Sequence, residues 1–466
     1  MNLSEVLGRV LPPGRVLTDA AVLAAHRHDY WALEAIRDVG GAPSAPPACV
    51  VFPESTEEVA AVLRLAHAER IPVVPYGSGS GVCGGVKPGA DAVVVDMTRM
   101  ARLVEVRRQS LVGVAEAGLN GAECERLLAA EGLTLGHFPQ SIALSTVGGW
   151  VATRASGQLS TRYGNIEDLL LALEVVLPGG AVLRTAETPR AATGPDLKSL
   201  FLGSEGTLGI VTQVTLKLAP APTWQEGFAV KLPRFDDGLE VSRELLQAGW
   251  RPAVLRLYDE SEAARHFGTW LGTPSPLLLI MNQGTAAMAD ALWHELEAAK
   301  KAALGHQGEI IGDEPLKHWL AHRNEVPSWE GLLRSGLVAD TIEVAATWER
   351  VGELYASVTA AMRAVPGIIA ATGHTSHGYT TGMNIYFTFV GAATEPAEQE
   401  RIYRQAWAAA MEASLACNAT IAHHHGIGRV RRDWLPREVG AAGMVVLRAV
   451  KHALDPHGIM NPGVLI

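Results

Sequence analysis

The chain has 466 residues, 48% of them hydrophobic and 19% charged, with a net charge of −10. That length asks for about two to four domains, and a charged fraction below the roughly 25% of an average soluble protein, beside so many apolar side chains, excludes a disordered chain. The acidic balance, without any block of like charge, excludes a general nucleic-acid binder, and 48 glycines exceed the usual share, which points to turns or to backbone brought close to a ligand.

Residues 20–37 read as a helical N-terminal segment, and the Gly/Pro/Ala stretch at 40–47 reads as a linker. Beyond it, 48–52 is strand-like, Ser55 with Glu58 forms a capping box, and Val59, Val62, Leu63 and Ala66 make a helical apolar stripe. A buried strand at 71–75 runs into a glycine loop, followed by strands at 92–97 and around Val104 and Val114, then a helix over 120–131. Residues 169–177, 181–185 and 208–218 read as antiparallel strands. Past Pro220 and Pro222, strands at 228–232, 254–258, 277–282 and 385–390 alternate with helices such as 287–303, a second α/β unit. The cysteines, Cys49, Cys83, Cys124 and Cys417, are scattered without a CxxC pair, so neither disulfides nor a zinc site is encoded and a reducing cytoplasm is expected. No basic and apolar leader and no unbroken apolar span is read, so neither secretion nor membrane insertion is expected.

Three glycine clusters carry the first chemical signal. The run 75–85 leaves a buried strand and bares backbone N–H groups able to cradle phosphate oxygens. It contains GxGxxG at Gly79, Gly81 and Gly84, but it leads into another strand rather than a helix, and it lacks GK[ST], so neither a Rossmann fingerprint nor a P-loop fits. Taken alone, a plain glycine-rich hairpin is the alternative. Two further clusters, 145–150 and 203–209, make an extended ligand with a flat ring and a diphosphate the natural candidate, a dinucleotide. The other constellation is His423, His424 and His425 in a segment readable as extended, which would put His423 and His425 on one side and His424 on the other. Metal ligation, catalysis or hydrogen bonding, and plain structure all stay open for it, although no further spaced ligands lie nearby. The stretch 373–379, with His374 and His377, adds titratable groups before an aromatic strand, and polar loop plus strand is its simpler reading.

These runs match a known family. Residues 75–85, 145–157 (STVGGWVATRASG), 163–169 (YGNIEDL), 193–197 (TGPDL), 203–212 (GSEGTLGIVT) and 455–463 (DPHGIMNPG) resemble the FAD-linked oxidases of the vanillyl-alcohol oxidase superfamily. The resemblance implies an α+β fold: a two-subdomain PCMH-type FAD-binding domain, an α/β cap domain with an antiparallel sheet, and a C-terminal segment returning to the FAD domain. The expected divisions are 1–47 (N-terminal helical segment), 48–220 (FAD-binding), 221–420 (substrate cap) and 421–466 (C-terminal segment). It also implies FAD as cofactor; Cys83 is the only histidine or cysteine in the first glycine loop and its position does not match a tether, so the FAD is expected to be noncovalent. The residues implied to bind it are Pro75, Gly77, Ser78, Gly79, Ser80, Gly81, Gly84, Gly85, Pro139, Ser145, Thr146, Gly148, Gly149, Ser156, Gly157, Glu205, Gly206, Gly209 and Ile210.

Within that superfamily the chain resembles in particular the alkyldihydroxyacetonephosphate synthase family, through STVGGW, TRASG, YGNIED, TGPD and the triple histidine together. That resemblance implies exchange of an acyl for an alkyl group at the flavin without net redox change, and an active site lined by His137, Arg256, Tyr386, His423, His424 and His425. The chain departs from the family after Pro327, where Trp329 or Glu330 stands in place of an arginine. A second resemblance is to FAD-dependent 2-hydroxyacid dehydrogenases of the glycolate and D-lactate type, which share the C-terminal signature but carry Glu-His-Gly where this chain has His424, His425 and Gly426. That glutamate helps hold a metal there, and no metal is expected here. The expected function is an FAD-dependent oxidoreductase acting on an alcohol or 2-hydroxyacid by hydride transfer to flavin N5, with His424 first and His423 second as base. The alternatives are the acyl-to-alkyl transferase and a noncatalytic flavin-binding protein. The partners expected are a small-molecule substrate and an unidentified electron acceptor, with a homodimer as one option for assembly.

Overall fold

The computed structural model describes residues 3–466; Met1 and Asn2, the start of the expected N-terminal segment, lie outside the described residues. A four-stranded sheet comes first, ordered Val16–Leu17, Cys49–Val51, Val93–Asp96, Val73–Tyr76. Its centre is parallel, with Cys49–Val51 and Val73–Tyr76 both aligned on Val93–Asp96, and their near-continuous valines suit strands buried on both faces. The helix Thr56–Glu69 packs beside it, its amide at Glu58 capped by Ser55 at 3.2 Å. The expected capping box is only half made. Glu58 reaches back to the amide of Glu54, one residue too early, because the same carboxylate also accepts from Arg15.

A five-stranded antiparallel sheet follows, ordered Leu103–Arg107, Val112–Glu116, Ile210–Lys217, Leu170–Val176, Val182–Arg184, as the sequence pattern requires. The single helical stretch expected at 20–37 is instead two helices, Ala20–Ala25 and Ala32–Val39, broken at 26–31. The break brings His26 onto Asp96 (2.8 Å), Asp29 onto the amide of Val86 (3.3 Å) and Trp31 onto the hydroxyl of Tyr403 (2.9 Å).

The second unit is an eight-stranded antiparallel sheet ordered Glu309–Ile310, Trp224–Lys231, Leu277–Gly284, Val254–Tyr258, Ile368–His374, Gly382–Ala392, Leu337–Thr347, with Gly378–Tyr379 paired to Gly382–Ala392. One face is apolar: Leu255, Leu257, Ile342, Val344, Ile385, Phe387 and Phe389 pack under helices Phe235–Gln247, Trp348–Arg363 and Pro396–Ala416. Side chains alternate along a strand, so the intervening Arg256, Tyr258, Thr341, Glu343, Tyr386 and Thr388 project from the opposite face. The sheet is thinnest between Val254–Tyr258 and Ile368–His374, which share the single pair Tyr258 and His374. All four cysteines are free and buried, and among the described residues no helix is long and apolar enough to cross a membrane.

Candidate active site

A cavity of about 1110 Å³ runs from the glycine loops to the polar face of the cap sheet. That volume exceeds the range of roughly 300–1,000 Å³ usual for one compact ligand, which suits an extended cofactor with a second molecule beside it. Its first end is made of backbone. Among the described residues, no N–H from Gly77 to Val82, all of which line the cavity, donates to an acceptor in the chain. Buried backbone donors without partners are rare, so a row of them facing a cavity is a ready-made anion cradle. The walls approach too closely for side chains. A Cβ on Gly77 would sit 2.5 Å from Thr146 Oγ1, one on Gly148 would sit 2.6 Å from Ala117 Cβ, and one on Gly206, at φ +72°, would sit 2.6 Å from the Pro75 ring. These residues fit the diphosphate and flat ring of FAD.

Buried acids brace this end. Asp29 grips the far side of the first loop through Val86, and burial pushes its carboxyl up to about 7. Glu205, also raised to about 7 by burial, accepts from the amides of Ile427 (2.7 Å) and Gly428 (2.8 Å). Asn461 Nδ2 donates to the carbonyls of Gly85 (2.9 Å) and Glu205 (2.7 Å), so the C-terminal segment ties the first glycine loop to the third.

The other end is made of side chains set by strand register. Tyr258 pairs with His374, His374 with Tyr386, and Tyr386 with Glu343, which places four polar side chains in one row across the sheet. Arg256 joins that row two residues from Tyr258, donating Nε to the Tyr258 hydroxyl (2.6 Å) and lying 2.5 Å from His374 Nε2. His374 Nδ1 meets Glu262 at 2.9 Å. Burial and then the Arg256 charge bring His374 down to about 4, while Glu262, against its burial, is held near 2 by His374 and the arginines. Tyr386 accepts from Thr341 Oγ1 (3.0 Å) and stacks on His374 with centroids 5.0 Å apart.

The histidine loop hangs from Glu343. This carboxylate accepts from the amides of His424 (3.3 Å) and His425 (2.8 Å) and lies 2.8 Å from His425 Nδ1, an ion-pair distance without hydrogen-bond alignment. Arg431, fully buried, contacts it at 2.5 Å and also donates to Cys83 Sγ (2.9 Å) and the Gly426 carbonyl (2.7 Å). Burial alone would raise Glu343; Arg431 and then His425 hold it well below the ordinary carboxylate range. His423 and His424 face each other through their Nδ1 atoms at 2.8 Å, and His423 Nε2 meets the Tyr379 hydroxyl at 2.7 Å. His377 stacks on His423 at 5.0 Å and bonds Ser160 Oγ through Nδ1 at 2.6 Å. Burial drives His424 and His377 well below the ordinary imidazole pKa, with the next histidine's charge adding to it, and His423 to about 4.

Five of the sequence-predicted residues therefore cluster: Arg256, Tyr386, His424 and His425 line the cavity, with His423 behind His424. The expected alternation of His423 and His425 against His424 is not observed. Two consecutive amides bent onto one carboxylate make a turn rather than a strand, and it carries His424 and His425 to the cavity together. His137 lies outside the lining, fully buried against Trp150, with both ring nitrogens unpartnered and burial lowering it to about 3. Gly84 and Gly157 also stand off the cavity: a Cβ would meet Trp31 at 2.5 Å in the first case and the amide of Phe138 at 2.6 Å in the second, so they serve packing. The other expected cofactor residues line the cavity. Glu343 and Arg431 escaped sequence reasoning: the strand also carries Asp340 and Thr341, so a glutamate among them gave no distinct local signal.

Two family models match the chain, the FAD binding domain over residues 47–186 and the FAD linked oxidases C-terminal domain over residues 221–465. The chain is similar to the uncharacterized FAD-linked oxidoreductase YgcU of Escherichia coli (strain K12), 32% identical over 100% of this chain and 97% of that protein. It is similar to alkyldihydroxyacetonephosphate synthase of Trypanosoma brucei brucei, 30% identical over 99% of this chain and 80% of that protein. A solved structure of an alkyldihydroxyacetonephosphate synthase superposes with a TM-score of 0.83 at 25% identity, covering 98% of this chain and 85% of that one. With a glycine cradle of the right shape and both halves of the chain matched, this protein belongs to the FAD-linked oxidases and is an enzyme that takes FAD as its cofactor.

Proposed function

We propose that the enzyme is an oxidoreductase that removes hydride from the carbinol carbon of a small alcohol or 2-hydroxyacid. The observation that carries this reading is the placement of His424, whose imidazole lines the same cavity as the glycine cradle, with desolvation pushing it well below the ordinary imidazole pKa. FAD, when bound, supplies the two-electron hydride acceptor.

The chain's own residues manage the proton and the charge. If His424 Nδ1–H donates to His423 Nδ1, and His423 Nε2–H to the Tyr379 hydroxyl, then His424 Nε2 is bare and is the atom that takes the hydroxyl proton. His423 is then a positioning residue that sets this tautomer. Tyr386, its hydroxyl already accepting from Thr341, has its own proton free to donate to the substrate oxygen. Arg256, aimed by Tyr258 and His374, anchors a carboxylate. A noncovalent flavin is part of the proposal, supported by the placement of Cys83: its thiol is buried, points to Arg431 and lies off the cavity. Denaturation followed by filtration should leave the protein colourless.

His424→Ala should keep its FAD, read by the visible flavin band, yet lose anaerobic flavin reduction by substrate by about 10²- to 10⁴-fold. Unchanged reduction kinetics would remove His424 from the mechanism. A redox-neutral transferase is the second reading, favoured by the similarity to alkyldihydroxyacetonephosphate synthase along nearly the whole chain. The two separate on one assay: the oxidoreductase consumes an artificial electron acceptor, whereas the transferase releases fatty acid and consumes none.

A further inference from the structure

Resting on the oxidoreductase reading, we propose that Arg323 is a specificity-determining residue that binds a second acidic group of the substrate. The substrate is then a small hydroxy compound with two anionic groups, one carboxylate at Arg256 and a carboxylate or phosphate at Arg323.

Arg323 follows the helix Glu314–His322 and lines the cavity. Its guanidinium lies over two rings, Phe138 at 5.1 Å and Trp319 at 5.7 Å. Gln158 clamps it reciprocally: Arg323 Nη1 donates to Gln158 Oε1 (3.0 Å), and Gln158 Nε2 donates to the Arg323 carbonyl (2.9 Å). Position is thus supplied, but charge is not. Among the described residues, no carboxylate lies within ion-pair range of Arg323, and its Nε and Nη2 have no acceptor in the chain. The acids nearby are spent elsewhere. Glu262 is taken by His374 and Arg265, and Glu125 by the Thr134 hydroxyl and the amides of Leu135 and Gly136. Removing a guanidinium from water without a counter-charge is costly, and a rigid, stacked fork with donors to spare is the form in which arginine recognises carboxylate and phosphate.

Arg256 lies 5.6 Å from the same Trp319 ring, so both cations border one ring in one cavity. Arg256 belongs to the reacting end, beside His374. Arg323, by contrast, sits against Phe138 and Gln158 and is free to read the part of the substrate that does not react.

Calorimetric titration of the FAD-loaded enzyme with nonreactive probes tests this. Glutarate or 3-phosphonopropionate should bind at least tenfold more tightly than butyrate, and whichever of the two wins names the second group. In Arg323→Met that preference should fall below threefold with butyrate affinity unchanged, while Arg323→Lys should keep part of it. Equal binding of butyrate and both diacids by the wild-type enzyme, a comparison that needs no variant, would overturn the proposal, as would an equal loss for all probes in Arg323→Met. The underlying reading fails separately: if no hydroxy compound bleaches the flavin while diacid preference persists, the anion site stands and the oxidation does not. Bleaching by monoacids without diacid preference gives the reverse.

Discussion

The two ends of the cavity are built from different materials. At the flavin end the working groups are backbone amides, and the side chains that matter are absent ones, at Gly77, Gly148 and Gly206. At the cap end the working groups are side chains, placed by the register of four strands and by one carboxylate, Glu343. A backbone cradle is specified locally, by a few consecutive glycines. A side-chain cluster is specified by pairings between distant segments, and its members depend on one another.

The contrast can be broken first at the backbone. Gly206→Val puts a branched side chain at φ +72°, where the Pro75 ring stands 2.6 Å from the new Cβ. Backbone strain of about 1–3 kcal/mol adds to that collision, and the cradle must open. The purified variant should be folded and nearly colourless, read as the ratio of flavin to protein absorbance; wild-type flavin content would show that the third loop does not shape the cradle.

At the other end a charge, not a shape, should fail. Glu343→Gln keeps an acceptor for the amides of His424 and His425 but leaves Arg431 buried without its counter-ion. Stability should fall by about 3–5 kcal/mol in denaturant titration, with FAD content largely kept. The double variant Glu343→Gln with Arg431→Met should recover part of the loss. No recovery would mean that the pair matters through packing against Trp407 rather than through charge.

That difference in material also decides what the sequence revealed. The glycine loops could be read because glycine excess and spacing are local, although Gly84 and Gly157 were indistinguishable from cradle glycines and turn out to pack on Trp31 and Phe138. The strand at 210–217 showed in its alternation, but Leu337–Thr347 and Ile368–His374 did not, their polar positions masking the pattern. Arg256 and Tyr386 entered only through resemblance, since nothing local tells a cavity arginine from a surface one. The pairing of Glu343 with Arg431 spans 88 positions and left no local trace, and without it the histidine segment looked like a strand. The break at 26–31 was hidden likewise, because its cause is contact with the glycine loop and not its own propensity.

The smallest effect sharpens the comparison most, because the two ends respond to pH with opposite sign. On the cap side, His374 and His423 have their pKa values lowered from 6.5 to about 4, with burial the largest cause. The unfolded chain takes up these protons near pH 6.5 and the folded one does not, so their contribution is complete above pH 6.5 and declines as the pH falls toward 4. At pH 5 each such group costs roughly 2 kcal/mol. On the flavin side, Asp29 and Glu205 have pKa values raised to about 7 from 3.8 and 4.5. Their contribution is complete below about pH 4 and is lost as the pH rises through 7. Hydrogen exchange, corrected for the intrinsic dependence of amide exchange on pH, should therefore separate the two ends of the FAD-loaded enzyme. On going from pH 7 to pH 5, residues 373–378 should lose protection while residues 85–86, gripped by Asp29, should gain it. A uniform change in both would show that the ends open as one unit and that the division between a backbone-built and a side-chain-built site has no counterpart in their stability.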